Sequence, residues 1–286
     1  MKARVSVAIA AVVLILTGAP AGSQTITPIE FPGAAQTRPS GINPSGEITG
    51  NYVNPDGSIH GFLLDRNGFT SIDVPGAIQT NASGINPQGD IVGFYIPPGG
   101  RGRGFLWSRG TFYDIFFPGA FLTSALGINA QGDIVGQYND AAGPPRHGFL
   151  LRNNSFVAID FPGAVRSVTV DINERGDIVG TYVDAGGKSY MYLLSSGVFT
   201  TIDFPGALGT SPAGGINAKG EIVGSYLGTD LKTHGFLLNA SGFSTIDLPE
   251  TIVTDFTRPI GINAQGDIVG FYRDLANLAH GFLIRR

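Results

Sequence analysis

Residues 84–95, Gly84-Ile85-Asn86-Pro87-Gln88-Gly89-Asp90-Ile91-Val92-Gly93-Phe94-Tyr95, carry the reading that decides the fold. The same phrase occurs six times, anchored at Gly41-Ile42-Asn43, Gly84-Ile85-Asn86, Gly127-Ile128-Asn129, Asp171-Ile172-Asn173, Gly215-Ile216-Asn217 and Gly261-Ile262-Asn263, with a period of 43 to 46 residues. Asn-Pro-x-Gly is the wording of a type I turn closed by a left-handed glycine. Asn43, Asn86, Asn129, Asn173, Asn217 and Asn263 therefore read as turn formers, with a ligand-binding asparagine ring as the alternative.

Working outward, residues 80–115 hold four strand signals separated by turns. Strand A is a small-residue run through Ile85, B runs from Asp90 to Tyr95, C covers Gly104 to Trp107, and D runs from Phe112 into Phe117-Pro118-Gly119-Ala120. A period of this size with four short strands per unit is the content of a propeller blade. Six such units predict an all-β, six-bladed propeller, with an open β-solenoid as the alternative. No stretch shows sustained helical periodicity.

Either the loop after B or the loop after D could lead to the next blade. Blades diverge from the axis, so outer strands need bulkier residues to keep native packing density. Strand A is small (Asn81, Ala82, Ser83, Gly84), whereas strand D carries Phe69, Phe112, Phe156, Phe199 and Phe243. A is thus expected innermost and D outermost; in the other phase strand C would line the channel. The last repeat stops after its C strand at Gly281-Phe282-Leu283-Ile284, while Ile26 to Phe31 forms a spare D strand. The N-terminus is expected to complete the sixth blade and remove the exposed sheet edges.

The first 23 residues carry Lys2 and Arg4, an apolar run from Val5 to Leu16 and Ala19-Pro20-Ala21, the pattern of a cleaved signal peptide, with a retained anchor as the alternative. Residues 24–286 then form one domain, secreted or periplasmic in a bacterium, with no stable membrane span after cleavage. The chain has no cysteine, which excludes disulfides, thiol nucleophiles and thiolate metal sites. Losing Lys2 and Arg4 from 18 basic residues leaves 16 against 22 acidic ones, and the sole basic cluster, Arg101, Arg103 and Arg109, is small. Nucleic acid is not an expected partner.

The linked motifs Gly-Ile-Asn-x-x-Gly-Asp-Ile-Val-Gly and His-Gly-Phe-Leu, recurring at one spacing over nearly all of the mature chain, resemble the HAF-repeat family of extracellular bacterial proteins. The triplet here reads His-Gly-Phe rather than His-Ala-Phe. The resemblance implies export and a repeat fold, and brings no reaction, cofactor or catalytic residue.

The four histidines, His60, His147, His234 and His280, all open a strand C. Strands lie about 4.8 Å apart, so third strands of neighbouring blades sit too far apart for histidines to share one zinc. Counting the C–D hairpin register instead pairs His60 with Asp73, His147 with Asp160, His234 with Asp247, Tyr190 with Asp203 and His280 with Glu30, as structural clamps. In the second repeat Arg103 replaces the histidine and Phe116 stands opposite. The acids after the A–B turns, among them Asp90, Asp133 and Glu221, read as solvated turn residues, with weak cation binding as the alternative.

No nucleophile elbow, phosphate loop or dinucleotide fingerprint occurs. No cofactor, metal or catalytic residue is expected. The leading expectation is a monomeric, non-enzymatic binding propeller whose partner is a small molecule, glycan or protein. A hydrolase or lyase acting on a sugar or lactone at the channel mouth and a structural envelope component are the alternatives. Aligned positions suggest a hydroxyl ring where strand A enters the channel, Thr37, Thr80, Thr123, Ser167, Ser211 and Thr257, with Arg38 and Arg258 on neighbouring blades ready to hold a carboxylate. Export is expected to cleave after Ala21 or Ser23; N-terminal sequencing of exported protein that began at Met1 would refute this.

Overall fold

The structure, a computed structural model, describes residues 25–141, 143–249 and 255–286, and of these 144, 145 and 211–213 by backbone alone. The signal peptide expected over residues 1–23 lies outside the described residues. Six four-stranded antiparallel sheets form a ring, each ordered A-B-C-D. Blade one runs Gln36–Ile42, Ile48–Val53, Ile59–Asp65 and Gly68–Ile72. The protein is a six-bladed β-propeller.

Small residues decide which strand is innermost. Each A strand contacts the A strands of the two neighbouring blades around the axis, and Gly41, Gly84 and Gly261 line a central channel. A Cβ on Gly41 would stand 2.6 Å from the Ser83 carbonyl oxygen of the next blade, so the approach of neighbouring A strands demands glycine there. Each A strand also carries a β-bulge, as between Pro39 and Gly41, which sharpens its twist beside the axis.

Outward from the axis the side chains grow. Strand C contributes Phe62, Phe105, Phe149, Tyr192, Phe236 and Phe282, one fully buried ring per blade. The loop after each D strand, Phe-Pro-Gly-Ala at four of the six junctions, then inserts an apolar side chain into the following blade. Phe31 stacks on Tyr52 at 3.6 Å and meets Phe69 edge-on at 5.2 Å; Phe117, Phe161 and Phe204 repeat the arrangement in blades three, four and five. Val74 and Leu248 take that place in the other two junctions described. Each blade is thus packed by its own strands and by the tail of the blade before it.

The ring closes with the first strand of the described chain. Thr25–Ile29 pairs antiparallel with Ala279–Arg285, from Thr25 opposite Arg285 to Ile29 opposite Gly281, and supplies strand D of blade six. Ile26 and Ile29 are buried there at 6% and 3% exposure. These two side chains alone contribute roughly 3 to 6 kcal/mol. Removing the mature chain up to Phe31 is therefore expected to lower Tm by about 10 °C or more in a thermal melt; an unchanged Tm would show that the ring does not depend on this strand.

Candidate functional site

Strand alternation gives the propeller two unlike faces. The A–B and C–D turns share one, the turn face; the B–C and D–A loops share the other, the loop face. The turns are uniform, and their closing glycines Gly46, Gly89, Gly132, Gly176, Gly220 and Gly266 all have φ between +77° and +98°. Length and sequence vary on the loop face.

Around the loop face the structure brings each histidine to an acid: His60 Nδ1 lies 3.0 Å from Asp73, His147 2.9 Å from Asp160, His234 3.0 Å from Asp247 and His280 2.8 Å from Glu30. Each imidazole also stacks on the strand-B tyrosine of its blade at 5.2 to 5.3 Å. Two blades lack the histidine and engage an acid in another way. In blade four Lys188 reaches Asp203 at 3.3 Å and covers the Tyr190 ring at 4.7 Å. In blade two Arg103 lies over the ring of Phe116, the residue opposite it, at 5.1 Å and bonds Asp114 at 3.1 Å, while Tyr95 donates to the same carboxylate at 2.7 Å. Burial and that carboxylate push the Tyr95 phenol up to about 12.

The suggested hydroxyl ring is corrected by the structure. Thr37, Thr80, Thr123, Ser167 and Thr257 are buried at 2% exposure or less. Four of them accept the backbone N–H of the residue six positions earlier, Phe31, Val74, Phe117 and Phe161, at 2.9 to 3.1 Å, and so fasten the D–A loop. They do not open onto a mouth. In blade five the equivalent residue is Thr210, opposite Tyr226, rather than Ser211, opposite Ser225.

Arg38 and Arg258 do meet at the junction of blades one and six, through aromatic rings. The Arg38 guanidinium lies 5.9 Å from the Phe271 centroid and donates to Gln36 at 2.7 Å; Arg258 lies 5.1 Å and Arg273 4.6 Å from the Phe256 centroid. Phe256 and Phe271 stack on each other at 5.5 Å. Burial, then the charge of Arg273, lowers both Arg38 and Arg258, the latter to about 10. Guanidiniums over aromatic faces form a cationic spot.

Two cavities break the sixfold repeat. On the loop face a groove of about 560 Å³ lies between the B–C loop of blade four, Gly186 to Ser189, and blade five, where Leu208, Thr210, Leu227 and Thr233 line it. On the axis the channel holds about 210 Å³, and Asp171 stands in its wall where Gly41, Gly84, Gly127, Gly215 and Gly261 stand in the other blades. Sequence reasoning passed over Asp171, although its place as the one acid in an aligned column of glycines was the available signal. Among the described residues no group of three metal-ligating side chains gathers.

No family model matches the chain, and no curated protein matches it. Solved structures similar to it share little of its sequence. AofleA from Arthrobotrys oligospora shares 14% identity over 94% of this chain and 89% of its own, with a TM-score of 0.59. The six-bladed Aleuria aurantia lectin, described with a fucose recognition mode, shares 12% over 87% and 91%, TM-score 0.56. TolB from Acinetobacter baumannii shares 14% over 84% and 64%, TM-score 0.60. At these identities the likeness shows the fold.

His234 allows a test of the loop-face network. Burial opposes its charge, but its hydrogen bonds to the Asp247 and Asp230 carboxylates outweigh it and raise its pKa above 6.5. A folded pKa above the unfolded one stabilises fully below about pH 6.5 and ceases to do so as pH rises through the folded value. His234→Gln is therefore expected to lower Tm more at pH 5.5 than at pH 8.5; an equal loss at both would mean the imidazolium is not held by its acids.

Proposed function

We propose that this is an exported, non-enzymatic propeller of the HAF-repeat kind that binds carbohydrate in the groove between blades four and five. The observation that carries the reading is the chemistry of that groove. Leu208 and Leu227 remain 49% and 38% exposed in it, next to Lys188, Ser189 and Thr233. A sugar ring presents the same pairing, with C–H faces beside hydroxyls, and recognition needs an apolar floor with a few placed polar groups. The Lys188 ammonium is held by Asp203 and by the Tyr190 ring, which fixes one donor at the rim.

The fold supports this reading, since a fucose-recognising lectin is among the structures similar to it. So does the position of the groove. It lies on the face where loops vary and where the histidine of the repeat is replaced by Tyr190. A scaffold held constant elsewhere leaves such loops free to specify a ligand.

The test is a glycan array on the mature protein, followed by titration of each hit against Leu208→Asp and Lys188→Ala. Leu208 is half exposed, so its replacement is expected to leave Tm within a few degrees. Binding is expected to weaken at least tenfold in both variants. An array without a hit, or hits bound equally well by Leu208→Asp, would overturn the reading.

A further inference from the structure

We propose that the central channel is a separate binding site for a small organic ammonium ion, with the Asp171 carboxylate as counter-ion and the aliphatic channel wall seating the hydrocarbon part. Asp171 lies in strand A of blade four, Arg166–Ile172. Its Oδ1 accepts the Ile172 N–H at 2.9 Å, and its Oδ2 accepts the Ile216 N–H of blade five at 3.0 Å. A carboxylate offers about four lone-pair positions. Two are taken by neutral amides, and the others are open to a donor.

That donor has to come from the channel. Asp171 is enclosed by protein yet keeps some accessible surface, and it lines both the 210 Å³ cavity and a narrower one of about 60 Å³ toward the turn face. The wider cavity is walled by Ile42, Ile85, Leu126, Val170 and Ile262, with Ser40 and Ser83 as its uncharged polar side chains. Glu174 lines the narrower one, so the channel axis carries two acids and no basic side chain among its described lining residues. The field along the axis favours a cation.

Size and polarity choose the kind of cation. A hard metal ion takes six to eight oxygen ligands, which this aliphatic wall does not provide. An ammonium needs one carboxylate and a few acceptors, and its carbon skeleton gains by leaving water for the wall. An apolar cavity of about 150 Å³ accommodates benzene. The channel volume therefore suits a primary amine of about six carbons.

Burial, partly offset by the Ile216 and Ile172 amides, raises the Asp171 pKa to about 7, with Glu174 adding a little. An ammonium binds the ionised form, so affinity is expected to fall roughly tenfold per pH unit below that value and to level off above it. Glu174 is the one titratable neighbour that acts on Asp171.

The experiment is calorimetric titration of the mature protein with cyclohexylammonium chloride, cyclohexanol and potassium chloride, at pH 8 and pH 5.5. Asp171→Asn keeps the shape and an acceptor for one amide; Asp171→Gly restores the residue of the other five blades and serves if the first variant does not fold. The wild-type protein is expected to bind the amine at pH 8, at least tenfold more weakly at pH 5.5, and cyclohexanol at least tenfold more weakly than the amine. Each folded variant is expected to lose at least tenfold in amine affinity. No amine binding by the wild type, equal binding of cyclohexanol, an equal response to potassium chloride, or full amine affinity in a folded variant would overturn the proposal. A failure here leaves the loop-face groove untouched, because the two cavities share no lining residue.

Discussion

A circular ladder of six asparagine side chains is the constraint on which the propeller depends. Asn43 donates through Nδ2 to the Asn86 carbonyl, Asn86 to Asn129, Asn129 to Asn173, Asn173 to Asn217, Asn217 to Asn263, and Asn263 back to Asn43, at 3.0 to 3.4 Å. The second amide hydrogen goes to the carboxylate four residues on, such as Glu47 or Asp267, and the amide oxygen accepts the N–H groups two and four residues on. Every hydrogen-bonding position of each side chain is thus used. The side chains are buried at 1 to 3% exposure, where an unmet amide would cost about 1 to 3 kcal/mol. Each turn is completed only by its neighbour, and the link from Asn263 to Asn43 makes the first and last repeats neighbours.

The ladder also explains the acids of the turn face. Six carboxylates follow the A–B turns, and each is the local partner of its asparagine. Asp133 illustrates the electrostatics: burial opposes its charge, yet bonds from Arg152 and Asn129 hold its pKa below the ordinary value. Arg152 reaches it from the end of strand C of the same blade at 2.7 Å. The turn face is therefore a closed network, whereas the loop face is built from blade-local pairs that can be exchanged. Arg103 with Asp114 and Lys188 with Asp203 are such exchanges, and they leave the ring intact.

Much of this architecture was legible because the repeat forces the same solution six times. The strand count, the size gradient from Gly84 to Phe112 and the spare strand before Phe31 each follow from local residue choice and packing density. The candidate site was less legible, for physical reasons. A threonine at position 37 or 80 suits a ligand ring and a loop fastening equally well, and the choice is made by an N–H six residues away whose direction depends on the fold. The bulge in blade five moved the hydroxyl from Ser211 to Thr210, since a bulge shifts the count without changing the pattern. Glu47 and Asp90 read as solvated because the asparagine amides that bind them belong to the turn's folded shape.

The channel shows how a strict repeat can accommodate an exception. At Gly41, Gly84, Gly127, Gly215 and Gly261 a Cβ would stand 2.6 to 2.9 Å from backbone of the next blade, so a side chain at this level requires extra room. Asp171 faces blade five, whose strand A, Gly209–Ile216, is the one of eight residues and the one whose register skips two residues, between Ser211 and Gly214. In the other blades strand A has six or seven residues and skips one. The longer bulge and the larger residue therefore occur side by side. The Ile216 N–H just beyond the bulge is the group that Asp171 binds. Where backbone irregularity and a buried charge coincide, the carboxylate replaces the close glycine contact as the link between blades. It also brings to the wall of the wider cavity an ionisable group where the other repeats place glycine.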